Sequence, residues 1–392
     1  MINREHYINP IRQFYQSDLI KIITGIRRSG KSVILEQIKR EIMQISDNVI
    51  SLNFEDRRVY SVIKTADDLI SYVDTHKKEG QVYLFFDEIQ TLPDWHEACK
   101  TLRLDGNSVF ITGSNSKLLS KEFTKELSGR YVSFEVRPFV YKEIVAYCNE
   151  LGKTPDVADY LVWGGFPKRF EFDQQAQRSY LEDLDDTIVI NDLINRYKIR
   201  KTALFKSIVN YVLRSNARIY SVSSIRDYLK TQNEDCSLNT IIKYLGYLEE
   251  AYIISSVNQY STKTKRELAY YKKVYDTDVS SNSLRCLDGR YDLTHNLENV
   301  VYNELLYMGY TLWVYDNNGK EIDFLAQKNN KRYYIQVAYS VVDEKTYKRE
   351  MSAFRGIDEL AQRILITNDE LDYSTSLIRH IKLKDFLTLN EL

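Results

Sequence analysis

Apolar positions along this chain change their period several times, and each change marks an element. Residues 20–24 (IKIIT) form a short apolar run of the kind a buried strand carries. Just beyond, Val33, Ile34, Leu35, Ile38, Ile42 and Met43 recur at helical spacing and predict an amphipathic helix. Unbroken apolar runs at 82–86 and 109–112 predict further buried strands, and 131–136 is strand-like. Helical patterns return around 158–162 and 175–194. Residues 204–213 predict one amphipathic helix. A second starts within 219–224 and runs to about Leu229. Ser237 caps a third, Leu238–Glu250, on which Ile241, Ile242, Leu245 and Leu248 recur. A strand is expected at 253–257, and residues 296–392 alternate helix and strand.

This succession predicts an α/β protein in four parts. They are a parallel sheet over 1–150, a helical segment over 151–202, a winged helix over 203–275 and a small α/β domain over 276–392. The chain has 392 residues, which is long for one domain. With 43% hydrophobic and 28% charged residues but only 14 Gly and 5 Pro, it is globular and leaves little room for a disordered linker. Lys+Arg number 54 against 55 Asp+Glu, a net charge of -1, so any nucleic-acid contact must come from local patches. Cys99, Cys148, Cys236 and Cys286 lie far apart with no CxxC pair, which argues against a zinc or disulfide framework. The N-terminal stretch lacks the apolar core of a signal peptide, and no run of 18 apolar residues exists. The expectation is a soluble, cytoplasmic protein without a membrane span.

The first strand leads directly into GIRRSGKS, residues 25–32, which fits G-x-x-x-x-G-K-[ST]. The strand before it and the helix after it supply the context this phosphate-binding loop requires. Gly25 and Gly30 allow the tight turn. Arg27, Arg28, Ser29 and Val33 complete the loop and the helix start around the nucleotide. Lys31 is expected to reach the β- and γ-phosphates, and the Ser32 hydroxyl to ligate Mg2+ beside ATP. After 82–86 come Asp87 and Glu88, at the strand end where open α/β sheets bind ligands. Asp87 is expected to hold the magnesium shell and Glu88 to polarise the attacking water. A plainer reading makes these acids caps for a helix starting at Asp94–Trp95. Arg130, in LSGRY, is either an arginine reaching a neighbouring subunit's γ-phosphate or a surface ion pair.

On the third helix of the winged-helix pattern, Asn239, Lys243 and Tyr244 are expected to face outward. Lys263, Lys265, Arg266, Lys272 and Lys273 stand among tyrosines in 260–273. Such a basic wing could grip DNA phosphates and stack bases, although winged helices also dock proteins. Further on, Glu298 and Glu304 lie on one helix, Asp323 in EIDFLA and Gln336 in YIQVA. Their order resembles the PD-(D/E)xK nuclease core, with Gln336 in place of the second acid and Ala338 in place of the lysine. Metal affinity and cleavage should therefore be lost or much reduced, leaving a nuclease-like fold used for binding or assembly. Lys345 could stand in only by folding back.

Taken together, GIRRSGKS, LFFDEIQ, ITGSNSKLLS, LSGR, WGGFP at 163–167, LENVVYNELLYMGY at 297–310, EIDFLA and YYIQVAYS resemble a known group over nearly the whole chain. It is the prokaryotic predicted AAA+ superfamily ATPase family, which joins an ATPase domain to a C-terminal domain of formerly unknown function. The resemblance implies a homo-oligomer, a ring or hexamer among its forms. It implies a γ-phosphate sensor at Ser114 or Asn115, and a helical lid opened by WGGFP with Lys168 or Arg169 toward phosphate. The leading expectation is an ATPase that remodels or translocates on DNA, branched DNA included. The alternatives are a nucleotide-gated signalling or defence switch and an ATP-dependent nuclease.

Overall fold

A computed structural model describes residues 2–114, 129–260, 272–286, 289–317, 319–357 and 360–392, without the side chains of 189–191. The chain divides into two compact units. One comprises 1–138 with 250–252, and the other 139–249 with 253–392.

The first unit is built on five parallel strands in the order β2-β3-β4-β1-β5. They are β1 (Ile20–Thr24), β2 (Val49–Asn53), β3 (Tyr83–Asp87), β4 (Ser108–Thr112) and β5 (Tyr131–Glu135). Every residue of β1, β3 and β4 is buried, because parallel strands joined by helical crossovers are covered on both faces. The helices are α1 (Glu5–Arg12), α2 (Lys31–Ile42), α3 (Arg57–Val62), α4 (Ala66–His76) and α5 (Trp95–Leu104). Ile34, Leu35, Ile38 and Ile42 form the buried stripe of α2, while Met43 is exposed. Ile20, Ile22, Leu52, Leu84, Phe86 and Ile111 fill the core with Leu69, Val73 and Leu102.

The second unit opens with α6 (Tyr141–Glu150), α7 (Val157–Trp163), α8 (Gln174–Asp185) and α9 (Leu193–Tyr197). The first unit thus ends at Pro138 rather than at residue 150. The reason is local: Phe139 N–H donates to Gly165 O at 2.8 Å, and Tyr141 N–H to Glu304 at 2.8 Å. Next come α10 (Thr202–Arg214), β6 (Arg218–Tyr220), α11 (Val222–Thr231), α12 (Leu238–Glu250), β7 (Ile254–Tyr260) and β8 (Lys272–Asp276). Three helices and a strand pair stand in the order expected from the sequence, with one further strand, β6, that the sequence pattern hides. The helix expected to begin within 219–224 begins at Val222, capped by Ser221, and β6 precedes it. After α13 (Ser280–Ser283) and α14 (Leu293–Tyr307) follow β9 (Thr311–Asn317), β10 (Lys320–Lys328) and β11 (Lys331–Ala338). The chain then runs through α15 (Glu344–Ala353), β12 (Gln362–Thr367), β13 (Arg379–Lys382) and α16 (Leu383–Phe386). β7 pairs in parallel with β9, Gln259 beside Val314, so one sheet of eight strands runs β13-β12-β11-β10-β9-β7-β8-β6. Among the described residues no helix is long and apolar enough to cross a membrane.

Candidate functional site

Parallel register brings the carboxyl ends of four strands to one edge of the first sheet. Asn53 lies beside Asp87, Phe86 beside Ile111, and Ile23 beside Thr112. Beyond Thr24 the chain turns through 25–30 into α2. Gly25 has φ 134°, and a Cβ there would sit 2.0 Å from Val136 O, so only glycine fits. Arg4 reaches the loop from outside its sequence: its guanidinium is buried and donates to Ser29 O at 2.7 Å. Ser29 is itself fully buried, Arg28 is exposed, and Arg27 pairs with Glu55 at 3.3 Å. Gly30 caps α2 and Val33 lies half-buried in its first turn.

Lys31 is 4% exposed, and its Nζ donates to Gly25 O at 3.1 Å and Ile26 O at 3.0 Å. Burial pushes its ammonium down to about 8. Ser32 Oγ donates to Asp87 Oδ1 at 3.1 Å, and Asn53 Nδ2 donates to Asp87 Oδ2 at 3.4 Å. Thr112 Oγ1 donates to Asp87 as well and accepts Glu88 N–H at 3.0 Å. Burial raises the Asp87 carboxyl above its ordinary range. Glu88 adopts φ 52°, a left-handed conformation that costs about 1–3 kcal/mol in a non-glycine residue. Its carboxylate accepts from Gln90 Nε2 and, at 3.4 Å, from Ser114 Oγ.

These residues lie together at the strand ends, and three partners join them unforeseen: Asn53, Thr112 and Gln90. The polar residues ending the apolar strands at 53 and 112 were the available signal. Of the two γ-phosphate sensor candidates, Ser114 touches Glu88 and Asn115 lies outside the described residues. Ser32 and Asp87 present a hydroxyl and a carboxylate side by side, a donor pair that fits Mg2+ beside phosphate oxygens. Arg130 is exposed immediately before β5. Since Ile20 pairs with Tyr131 and Thr24 with Glu135, Arg130 sits at the sheet edge opposite the loop. At about 3.3 Å per residue the separation is roughly 16 Å.

In the second unit several expectations change. Lys273 does not face solvent for DNA. It is 3% exposed, and its Nζ contacts Glu298 at 2.6 Å, Glu321 at 2.6 Å and Asp323 at 3.2 Å. Lys272 is paired with Glu249 at 3.9 Å. On α12, Asn239 and Lys243 are exposed, but Tyr244 is buried against Phe205 because the helix turns that face to the core. Lys263, Lys265 and Arg266 lie outside the described residues. Glu304 does not join Asp323: it accepts Tyr141 N–H and, at 3.3 Å, the Tyr160 hydroxyl, and burial raises it to about 8. Glu298, two turns earlier on α14, is the acid that meets Asp323's lysine. Arg169 cannot reach phosphate. It is fully buried, donating to Gly164 O at 2.6 Å, Asp159 at 2.8 Å and Gln177 at 2.8 Å, and Lys168 pairs with Glu171 at 2.5 Å. Lys345 does not enter the picture, since Lys273 fills the position beside Asp323.

Comparison with known proteins agrees with the first-unit geometry. Residues 17–145 match a family described as an AAA domain. Residues 154–284 and 294–386 match two families each described as a domain of unknown function. An uncharacterized protein of Haemophilus influenzae is 33% identical over 379 residues, covering 94% of this chain and 93% of its own. Uncharacterized protein MJ1544 of Methanocaldococcus jannaschii is 32% identical over 398 residues, covering 94% and 86%. The Walker-type ATPase PABY2304 of Pyrococcus abyssi shares the fold with a TM-score of 0.51 at 17% identity, over 73% of this chain and 96% of that one. With its phosphate-binding loop, its acid pair at the end of β3 and these relatives along its length, the chain belongs to the AAA+ ATPase family.

Proposed function

We propose that the chain binds ATP with magnesium at 25–32 and hydrolyses it. The observation that carries this reading is the bonded row Ser32–Asp87–Thr112–Glu88 beside the Lys31 ammonium. On nucleotide binding, Lys31 exchanges two weakly charged carbonyl partners for phosphate oxygens. Ser32 and Asp87 would hold magnesium, which would supply charge neutralisation to the phosphates. Glu88, positioned by its backbone conformation and the Thr112 hydroxyl, takes the proton of the attacking water. Arg130 lies too far from its own loop to act there, so any part it takes in hydrolysis is toward a second copy in a homo-oligomer, its alternative being a surface ion pair. Steady-state hydrolysis tests the reading: Glu88→Gln should retain ATP binding and lose turnover by about a hundredfold or more. Normal turnover would assign the water to another group.

The same proposal extends to DNA as what the ATPase acts on. Its support is the exposed face of α12 with Asn239 and Lys243, where the Lys243 ammonium lies 5.8 Å from the Tyr247 ring. Hydrolysis should rise in the presence of single-stranded, duplex or four-way-junction DNA, with affinity falling steeply as salt increases. A second reading, a nucleotide-gated switch that docks a protein, gains support from three facts. Lys273 is withdrawn from the basic set, the net charge is -1, and α12 exposes Leu238 at 37% and Ile242 at 49%. Hydrolysis indifferent to every DNA, with oligomer size changing between ATP and ADP, would favour this second reading over the first. Metal-dependent DNA cleavage lost in Asp323→Ala is what the nuclease alternative requires.

A further inference from the structure

The chain ahead of the first strand reaches into the nucleotide loop. Arg4 is 2% exposed, and its guanidinium works as a fork between two distant carbonyls. Its Nη1 donates to Ser29 O at 2.7 Å, and its Nη2 donates to Arg137 O at 2.9 Å. The fork thereby bridges the loop of 25–30 to the segment that follows β5. That segment also meets the loop at Gly25, where only glycine fits against Val136 O. The fork is braced from both sides. Arg4 lies over the Tyr7 ring, 4.5 Å from its centroid, and Arg137 N–H donates to the Tyr7 hydroxyl at 3.3 Å. From α2, Gln37 accepts Arg4 N–H at 3.4 Å and donates its Nε2 to Ile2 O at 2.7 Å.

What Arg4 holds is one peptide unit at the turn into α2. The Ser29 hydroxyl is buried without a hydrogen-bond partner among the described residues, so the side chain does not fix Ser29 in place. Its backbone does: Ser29 N–H donates to Ile26 O at 3.3 Å, and its carbonyl rests on Arg4. In a trans peptide the carbonyl and the next N–H point to opposite sides. A Ser29 carbonyl tied to Arg4 therefore turns Gly30 N–H the other way. Such N–H groups at a helix start have no partner within the helix and are what a phosphate binds. The loop also needs support, because Arg28 and Gly30 are both left-handed, at φ 67° and 97°. A non-glycine residue persists there only when its surroundings hold it. On the reading that 25–32 binds ATP, we propose that Arg4 is a positioning residue for the nucleotide. It acts through Ser29 rather than on phosphate, setting the direction of the Ser29–Gly30 peptide before ATP arrives.

Steady-state hydrolysis and ATP titration calorimetry on the full chain decide the matter. Arg4→Ala should weaken ATP binding and raise KM about tenfold, because the loop must then be ordered by the nucleotide itself, while kcat changes much less. An arginine that only stabilises the fold would lower the melting temperature and leave the KM of the folded protein at its wild-type value, and that outcome overturns the proposal. Should Arg4→Ala fail to fold, Arg4→Lys carries the same measurement. Its ammonium lacks the fork and serves one carbonyl, so KM should rise about threefold, and a wild-type KM overturns the proposal. Lys31→Ala separates the two ways of failing. If wild type binds ATP, Lys31→Ala does not and Arg4→Ala matches wild type, the role of Arg4 falls alone. If wild type and Lys31→Ala bind ATP alike, the loop reading falls and the role of Arg4 falls with it.

Discussion

Lys31 and Lys273 are both almost completely buried, yet their surroundings push them in opposite directions. Lys31 rests on two carbonyl oxygens of its own loop, and burial brings it down to about 8. Burial alone would lower Lys273 too, but the charges of Glu298, Asp323 and Glu321 hold it above the ordinary lysine range. A carbonyl offers only a partial charge, so a phosphate outbids it. Carboxylates offer more than a partial charge even though burial raises Asp323 and brings Glu298 up to about 8, and a phosphate cannot displace them from the buried ammonium. Depth of burial therefore does not tell a ligand-binding lysine from a closed one; the charge of its neighbours does.

This contrast can be broken most directly at Lys273. Lys273→Met leaves buried acids without their counter-charge and should destabilise the second unit by about 3–5 kcal/mol. Thermal melts would show it, and an unchanged melt would mean the cluster contributes no more than a surface pair. Next in size, Lys31→Ala should weaken ATP binding about a hundredfold by calorimetry while leaving the melting temperature near wild type. Reversed outcomes at the two lysines would reverse their assignments. A tenfold effect should follow from proton uptake. Phosphate needs the charged form of Lys31, whose value near 8 lies in the measurable range, so ATP affinity should fall about tenfold per pH unit above 8. A flat profile from pH 8 to 9.5 would place the proton elsewhere. The smallest effect is expected at Glu304. Its folded carboxyl, raised to about 8, binds a proton that the unfolded chain releases near its ordinary 4.5. The stability it contributes is present below that ordinary value and is lost as pH rises toward 8. Glu304→Gln should melt close to wild type near pH 4 and show a shallower decline between pH 4.5 and 8.

The nucleotide site was legible because its chemistry is contiguous. Lys31 and Ser32 close the loop that leaves one apolar strand, and Asp87 and Glu88 stand at the end of another, where parallel sheets place ligands. Asn53 and Thr112 obey the same rule, but a single polar residue closing a strand is a weak mark without the register that aligns it with Asp87. The second unit was harder to read for a physical reason. Lys273 sits among basic and tyrosine residues in sequence, yet its partners lie 25, 48 and 50 residues further on. Its burial is explained only once β8 is known to lie between β6 and β7, with Lys273 to Asp276 all buried. β6 itself was missed because its three residues, two of them exposed, carry too little pattern. Arg169 misled similarly, since a charged residue after a glycine turn looks available until Gly164, Asp159 and Gln177 are seen to enclose it.

The pairing of β7 with β9 also fixes an order of events during synthesis. All five strands of the first sheet are complete once Glu135 has been made, so that sheet can form early from contacts close in sequence. The eight-stranded sheet has no such head start. Its central joint needs residues 254–260 and 311–317 together, and its far edge awaits Arg379–Lys382. Until then β7 offers an open edge to any strand nearby. A nascent chain thus carries a finished nucleotide-binding sheet ahead of an unfinished one, and the interval between the two is when the newborn protein most needs shielding from its neighbours.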